Sequence, residues 1–168
     1  YLFSRGQVIG EYPVKLGLSP KGHKQFEGDF RTPEGVYYLS RRNPRSEFFL
    51  SVEVSYPNEA DRARAKQEGV RPGGLIMIHG QPNEPKRPLE HYATRDWTDG
   101  CIALSNADMV DVWLRTTTGT PTTTGSRTSP SVPRAVSACC RFPAIQPCPI
   151  ARCRNGAACS CSAAPPAR

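Results

Sequence analysis

A mostly β fold with short helices is predicted by three features of the first two-thirds of the chain. Phe48, Leu50, Val52, Val54 and Tyr56 alternate with mostly polar partners between Glu47 and Tyr56, the period-two pattern of a half-buried strand. Leu75-Ile76-Met77-Ile78 is an unbroken apolar run, which reads as a strand buried on both sides. Turn chemistry punctuates the segments between, as at Thr32-Pro33-Glu34-Gly35 and Pro72-Gly73-Gly74.

Taken in order, Tyr1-Leu2-Phe3, a polar turn and Val8 to Leu16 read as a hairpin, with Val8, Tyr12, Val14 and Leu16 on one face. Pro13 demotes its second strand toward an edge. Gly17 to Gly35 is turn-rich and feeds a strand at Val36-Tyr37-Tyr38-Leu39. Asn58 caps a helix over Glu59 to Glu68, whose Glu59 and Asp61 suit its positive end and whose Gly69 suits its stop. Arg62, Arg64 and Lys66 read as a solvated face of that helix rather than an acidic-partner site, since neighbouring acids cancel them. Gln81 to Arg95, with three prolines, reads as a long polar loop able to cover a site. Ser105 and Asp108 match a capping box, starting a helix whose Met109, Val112 and Trp113 face the core.

The chemistry-bearing residues cluster between these elements. His79 follows the apolar run and precedes Gly80; Cys101 follows Gly100, 22 residues later. A cysteine attacks a carbonyl as its thiolate, and a nearby imidazole can take the proton. Thr98-Asp99-Gly100-Cys101 offers successive amide N–H groups that a tight turn would aim at a developing oxyanion. The alternative is structural: Cys101 a small buried hydrophobe and His79 a satisfied residue at a strand end. His23 and His91 read as solvated loop residues, and no His, Cys or carboxylate spacing suits a metal. No metal or cofactor is expected.

Ile78-His79-Gly80, then Asp96-Trp97-Thr98-Asp99-Gly100-Cys101-Ile102-Ala103-Leu104-Ser105-Asn106, resembles the signature of the L,D-transpeptidase domain family of peptidoglycan-remodelling cysteine enzymes. Gly28-Asp29-Phe30-Arg31-Thr32-Pro33-Glu34-Gly35 resembles the family's G-D-x-x-T-P-x-G turn, and Ser55-Tyr56-Pro57-Asn58 with Pro72-Gly73-Gly74 resemble its Gram-negative branch. The chain departs from many relatives in carrying Asp99 in place of His and Ala103 in place of Arg. The resemblance implies a β-sandwich catalytic domain over residues 1–121, the N-terminus truncated and the last strand doubtful. It implies Cys101 as nucleophile, His79 as base, the Gly80 carbonyl orienting the imidazole, and the amides of Gly100 and Cys101 as oxyanion donors, with Thr98 and Asp99 beside the substrate. The implied activity is cross-linking of peptidoglycan stem peptides, or attachment of a wall-anchored lipoprotein, through a Cys101 thioester in the periplasm or cell envelope. The alternatives are an L,D-carboxypeptidase or endopeptidase on the same bonds, and a noncatalytic wall-binding domain.

Composition bounds the rest. The 168 residues, 38% hydrophobic, supply one core but hardly two. Residues 1–113 carry 15 Lys+Arg against 15 Asp+Glu, so the formal charge of +7 belongs to the remainder, where seven arginines face no acid. No apolar run of about 20 residues spans a membrane, so contact with one would be peripheral at most. Tyr1 reads as mid-strand, so a preceding segment is expected and the missing export signal says nothing about export.

Beyond Trp113 alternation vanishes, and Gly119-Thr120-Pro121 is the sole trace of a last strand. Residues 122–168 read as a low-complexity Arg/Pro/Ala/Cys tail, disordered or the product of a shifted reading frame. Its six cysteines allow fifteen pairings but contain no C-x-x-C, and its near-lack of aromatics argues against nucleic acid.

Overall fold

The computed structural model describes residues 1–125. Among them the elements run β1 (Leu2–Ser4), β2 (Gln7–Gly10), β3 (Gly35–Ser46), β4 (Phe49–Val54), α1 (Glu59–Gln67), β5 (Met77–His79), α2 (Leu89–Thr94), β6 (Ile102–Ala103), α3 (Asn106–Arg115) and β7 (Pro121–Thr124). This is the mostly β class with short helices that the patterning predicts. β1 and β2 form a separate hairpin, and the other five strands make one sheet in the order β6-β5-β4-β3-β7. All neighbours in that sheet are antiparallel except β5 and β6, which are parallel.

The alternation of β4 sorts its residues as expected. Val52 and Val54 enter the core with Tyr37 and Leu39 of β3, and Tyr56, Ile76, Leu104, Met109 and Val112 close it. Helix α3 lies on β4 and supplies Met109 and Val112. Ser105 caps it by accepting from the Asp108 amide at 3.1 Å, and Asp108 reaches back to the Ser105 hydroxyl at 2.8 Å. At the other end the Arg42 guanidinium lies 3.8 Å from the Trp113 ring centroid and donates to the Trp113 and Thr116 carbonyls.

Several expectations need correction. The N-terminal hairpin ends at Gly10, and Val8 and Val14 are exposed. Its expected continuation leaves β2 and pairs Lys15 with Ala103 through two 2.8 Å backbone bonds, covering the free edge of β6. The apolar run is not a strand buried on both sides. Leu75 adopts φ +55° and is 67% exposed, and pairing begins only at Met77. The last strand is present: β7 pairs along Gly35 to Tyr38 of β3 with threonines, whose branched side chains suit a half-exposed edge without any apolar alternation. The loop after Gly80 contains α2, whose buried Tyr92 accepts from the Lys86 and Arg87 amides, and His91 is half-buried against the Tyr92 ring. His23 is no solvated residue; its Nε2 lies 2.9 Å from Asp61 and its Nδ1 accepts from the Glu34 amide.

Asp61 explains much of that difference. It sits in the capping box of α1 with Asn58, yet it is 3% exposed and also accepts from the Tyr37 hydroxyl. Arg64 of the supposedly solvated face lies 3.7 Å from Asp61 and donates to the Lys24 carbonyl. The cysteine-rich tail, with its disorder and frame-shift readings, lies from residue 126 onward outside the described residues.

A second buried ion pair fixes the turn-rich segment. Lys24 Nζ meets Asp29 at 2.7 Å with both side chains 4% exposed, and the Gln25, Phe26 and Arg31 amides also donate to that carboxylate. Burial alone would push Asp29 up, but Lys24 and the three amides outweigh it and hold the carboxyl below its usual range. Such a depressed carboxyl contributes stability above its unfolded-state pKa, and the contribution is lost as pH falls through the folded-state value. Asp29→Asn, which strands the ammonium, is expected to cost about 3 kcal/mol in urea unfolding at pH 7. The gap between the two proteins should narrow on acidification; a gap that stays constant with pH would remove the ion pair from the account.

Candidate active site

His79 is the last residue of β5 and is held on both sides. It stands opposite Ser51 of β4 and beside Ala103 of β6, and its carbonyl accepts from the Leu104 amide at 2.9 Å. The imidazole, 4% exposed, packs 4.8 Å from the Phe48 ring and edge-on to Trp97 at 5.6 Å, with Tyr92 behind Trp97 at 5.0 Å. Its Nδ1 lies 2.7 Å from the Gly80 carbonyl. A carbonyl oxygen only accepts, so Nδ1 carries the proton and Nε2 of the neutral ring keeps its lone pair. Gly80 permits a further approach: a Cβ there would come within 2.5 Å of Asn106 Oδ1, which accepts from the Gln81 amide at 2.7 Å.

Cys101 is presented by a turn built around Thr98. The buried Thr98 hydroxyl donates to the Cys101 carbonyl at 2.7 Å and accepts from the Gly100 amide at 3.2 Å. Its backbone is tied to Leu16 and Leu18. Gly100 adopts φ +128°, and a Cβ there would sit 2.6 Å from the Arg31 carbonyl, so the turn closes only with glycine. The thiol accepts from the Met77 amide at 3.3 Å and donates to the Leu75 carbonyl at 3.6 Å.

Two clefts meet at this sulfur and share Leu75, Asp99 and Cys101. The larger, about 750 Å³, has Lys24, Glu27 and Arg71 in its wall. The smaller, about 290 Å³, holds His79 with Ser51, Phe48, Met77, Trp97 and Thr98. The structure therefore brings Cys101, His79, Thr98 and Asp99 to one cavity and sets the Gly80 carbonyl on the imidazole. It turns the Gly100 amide inward to Thr98. Ser51 and the Met77 amide are additional; Ser51 was legible only as a polar strand residue, and no sequence signal marks a backbone amide.

The L,D-transpeptidase catalytic domain model, YkuD, matches residues 1–124. The chain belongs to the YkuD family. YafK of Escherichia coli K12 is 33% identical over 76 residues, covering 44% of this chain and 29% of YafK. The helical cell shape determining protein Pgp2 of Campylobacter jejuni is 32% identical, covering 64% of this chain and 35% of Pgp2, at a TM-score of 0.49. Bd1075 of Bdellovibrio bacteriovorus is 29% identical over 68% of this chain and 38% of its own, at 0.47. The chain thus spans about a third of the length of these relatives.

In this YkuD domain the resting electrostatics favour neutral partners. Burial pushes the His79 imidazole down, against the bond to Gly80. Burial likewise pushes the Cys101 thiol up; the Asp99 charge adds to this, while the Met77 amide and Lys24 oppose it. Alkylation of Cys101 by iodoacetamide, followed by peptide mapping, should therefore rise with a midpoint above the range of a free thiol. Asp99→Asn should move that midpoint down, and a wild-type midpoint near pH 7 would mean a preformed thiolate pair instead.

Proposed function

We propose that this domain is a cysteine acyltransferase acting on peptidoglycan stem peptides. The observation that carries the reading is the shared cavity of Cys101 and an imidazole whose Nδ1–H is spent on the Gly80 carbonyl, leaving Nε2 to act as base. Membership of the YkuD family supplies the substrate class.

In the first half-reaction Sγ turns from the Leu75 carbonyl, and its proton passes to His79 Nε2 as sulfur attacks the amide between diaminopimelate and the terminal D-residue. The Cys101 amide meets the oxyanion, since Thr98 holds the Gly100 amide, and the Met77 amide steadies the thiolate. Imidazolium protonates the departing amine, the C–N bond breaks and a thioester remains. An amine of a second stem or of a wall-anchored lipoprotein then attacks the thioester, its proton goes to Nε2, and the thiol is restored. Two clefts converging on one sulfur suit a donor and an acceptor together, which favours transfer over hydrolysis. The site of action is the periplasm or cell envelope, where the polymer lies. Among the described residues no helix is long and apolar enough to cross a membrane.

Mass analysis of products from a purified tetrapeptide muropeptide tests this reading. Cross-linked dimer that disappears in Cys101→Ala is the expected result. Tripeptide alone would establish an L,D-carboxypeptidase, and no Cys101-dependent product would leave a wall-binding domain.

A further inference from the structure

Ser51 is a polar side chain for which the fold offers no structural use. It lies on β4 between the core residues' positions, is 4% exposed, and among the described residues its hydroxyl has no hydrogen-bond partner. The hydroxyl oxygen is not sealed from solvent but opens to the cleft, where it is free to bond what enters. The β4–β5 register sets Ser51 directly opposite His79, so both side chains leave the same face of the sheet, with Cβ atoms about 5 Å apart. Both line the 290 Å³ cleft, whereas the 750 Å³ cleft contains neither.

Chemistry assigns the occupant of that smaller cleft. Whatever nitrogen leaves or attacks must exchange its proton with His79 Nε2, so it approaches from the side where the imidazole lies. A neutral primary amine carries two N–H bonds. One can point at Nε2 while the other needs an acceptor, and the Ser51 hydroxyl is the acceptor beside the ring. Asp99 at the rim adds a carboxylate that concentrates cationic amines at the entrance. Water has the same two donors, but it can satisfy the second on a neighbouring water, whereas an amine carried on a stem peptide displaces that water and depends on the fixed acceptor.

We infer that Ser51 is a specificity-determining residue that holds the acceptor amine for attack on the Cys101 thioester and so sets the ratio of aminolysis to hydrolysis. In the step it serves, the amine nitrogen bonds to the thioester carbon and its proton moves to Nε2. The C–S bond then breaks, and imidazolium returns a proton to sulfur. The inference rests on the acyltransferase reading above.

The experiment compares wild type and Ser51→Ala on the same tetrapeptide muropeptide with a free D-amino acid as competing acceptor, reading the ratio of exchanged tetrapeptide to tripeptide. That ratio is taken after the thioester forms, so it is insensitive to changes in acylation or in the amount of folded enzyme. Loss of one hydrogen bond of ordinary strength should lower it about fivefold, with the melting temperature little changed. An unchanged ratio, including one accompanied by slower overall turnover, overturns the role of Ser51 while leaving the acyltransferase reading intact. Absence of any Cys101-dependent product from wild type overturns both.

Discussion

The parallel pairing of β5 with β6 is the constraint on which the site depends. Ile78 stands beside Ile102 and His79 beside Ala103. Continuing that register one step back sets Cys101 against Met77, whose amide reaches the sulfur. Strand side chains alternate between faces, so Met77, His79 and Cys101 share a face while Ile78 joins the core side with Val52. The antiparallel neighbour β4 adds Ser51 to the same face. A one-residue slip of β6 would send Cys101 to the core side and leave the imidazole facing the wrong parity.

Register this demanding requires that so short a strand be pinned. β6 has two residues, too few to hold a position by its own ladder. Lys15 completes its outer edge with two backbone bonds, Thr98 binds the turn that precedes it, and the cap at Ser105 starts α3 immediately after. Each clamp comes from a different part of the chain, which explains why residues 15–18 leave the N-terminal hairpin. Their backbone groups serve the turn that carries Cys101 and not β2.

Legibility in the sequence followed the range of the interaction. The alternation of Phe48 to Tyr56, the Asn58 and Ser105 caps, and the His-Gly and Thr-Asp-Gly-Cys segments are local patterns, and local chemistry decides them. Leu75 misled because apolarity alone does not distinguish a core strand from the wall of a cleft; its exposed side chain lines both cavities. β7 misled because a threonine edge strand has no apolar period to read. His23 and Asp61 are 38 positions apart, and their contact needs a fold before it needs a motif. Ser51 lacked a signal for the same reason, since only the β4–β5 register reveals what it faces.

Desolvation gives the site its character and also its limits. The aromatic wall of Phe48, Trp97 and Tyr92 that fixes the imidazole excludes water from it, and the same exclusion keeps thiol and imidazole neutral at rest. A neutral pair transfers its proton only when something stabilises the charge that results. A neutral thiol also resists oxidation better than a standing thiolate would. Asp99, exposed at the rim, reinforces that state by opposing a second negative charge on sulfur. A protonated histidine at the same position would do the reverse, drawing the thiol toward its thiolate, so the sign of this one rim charge decides which resting form of sulfur is favoured.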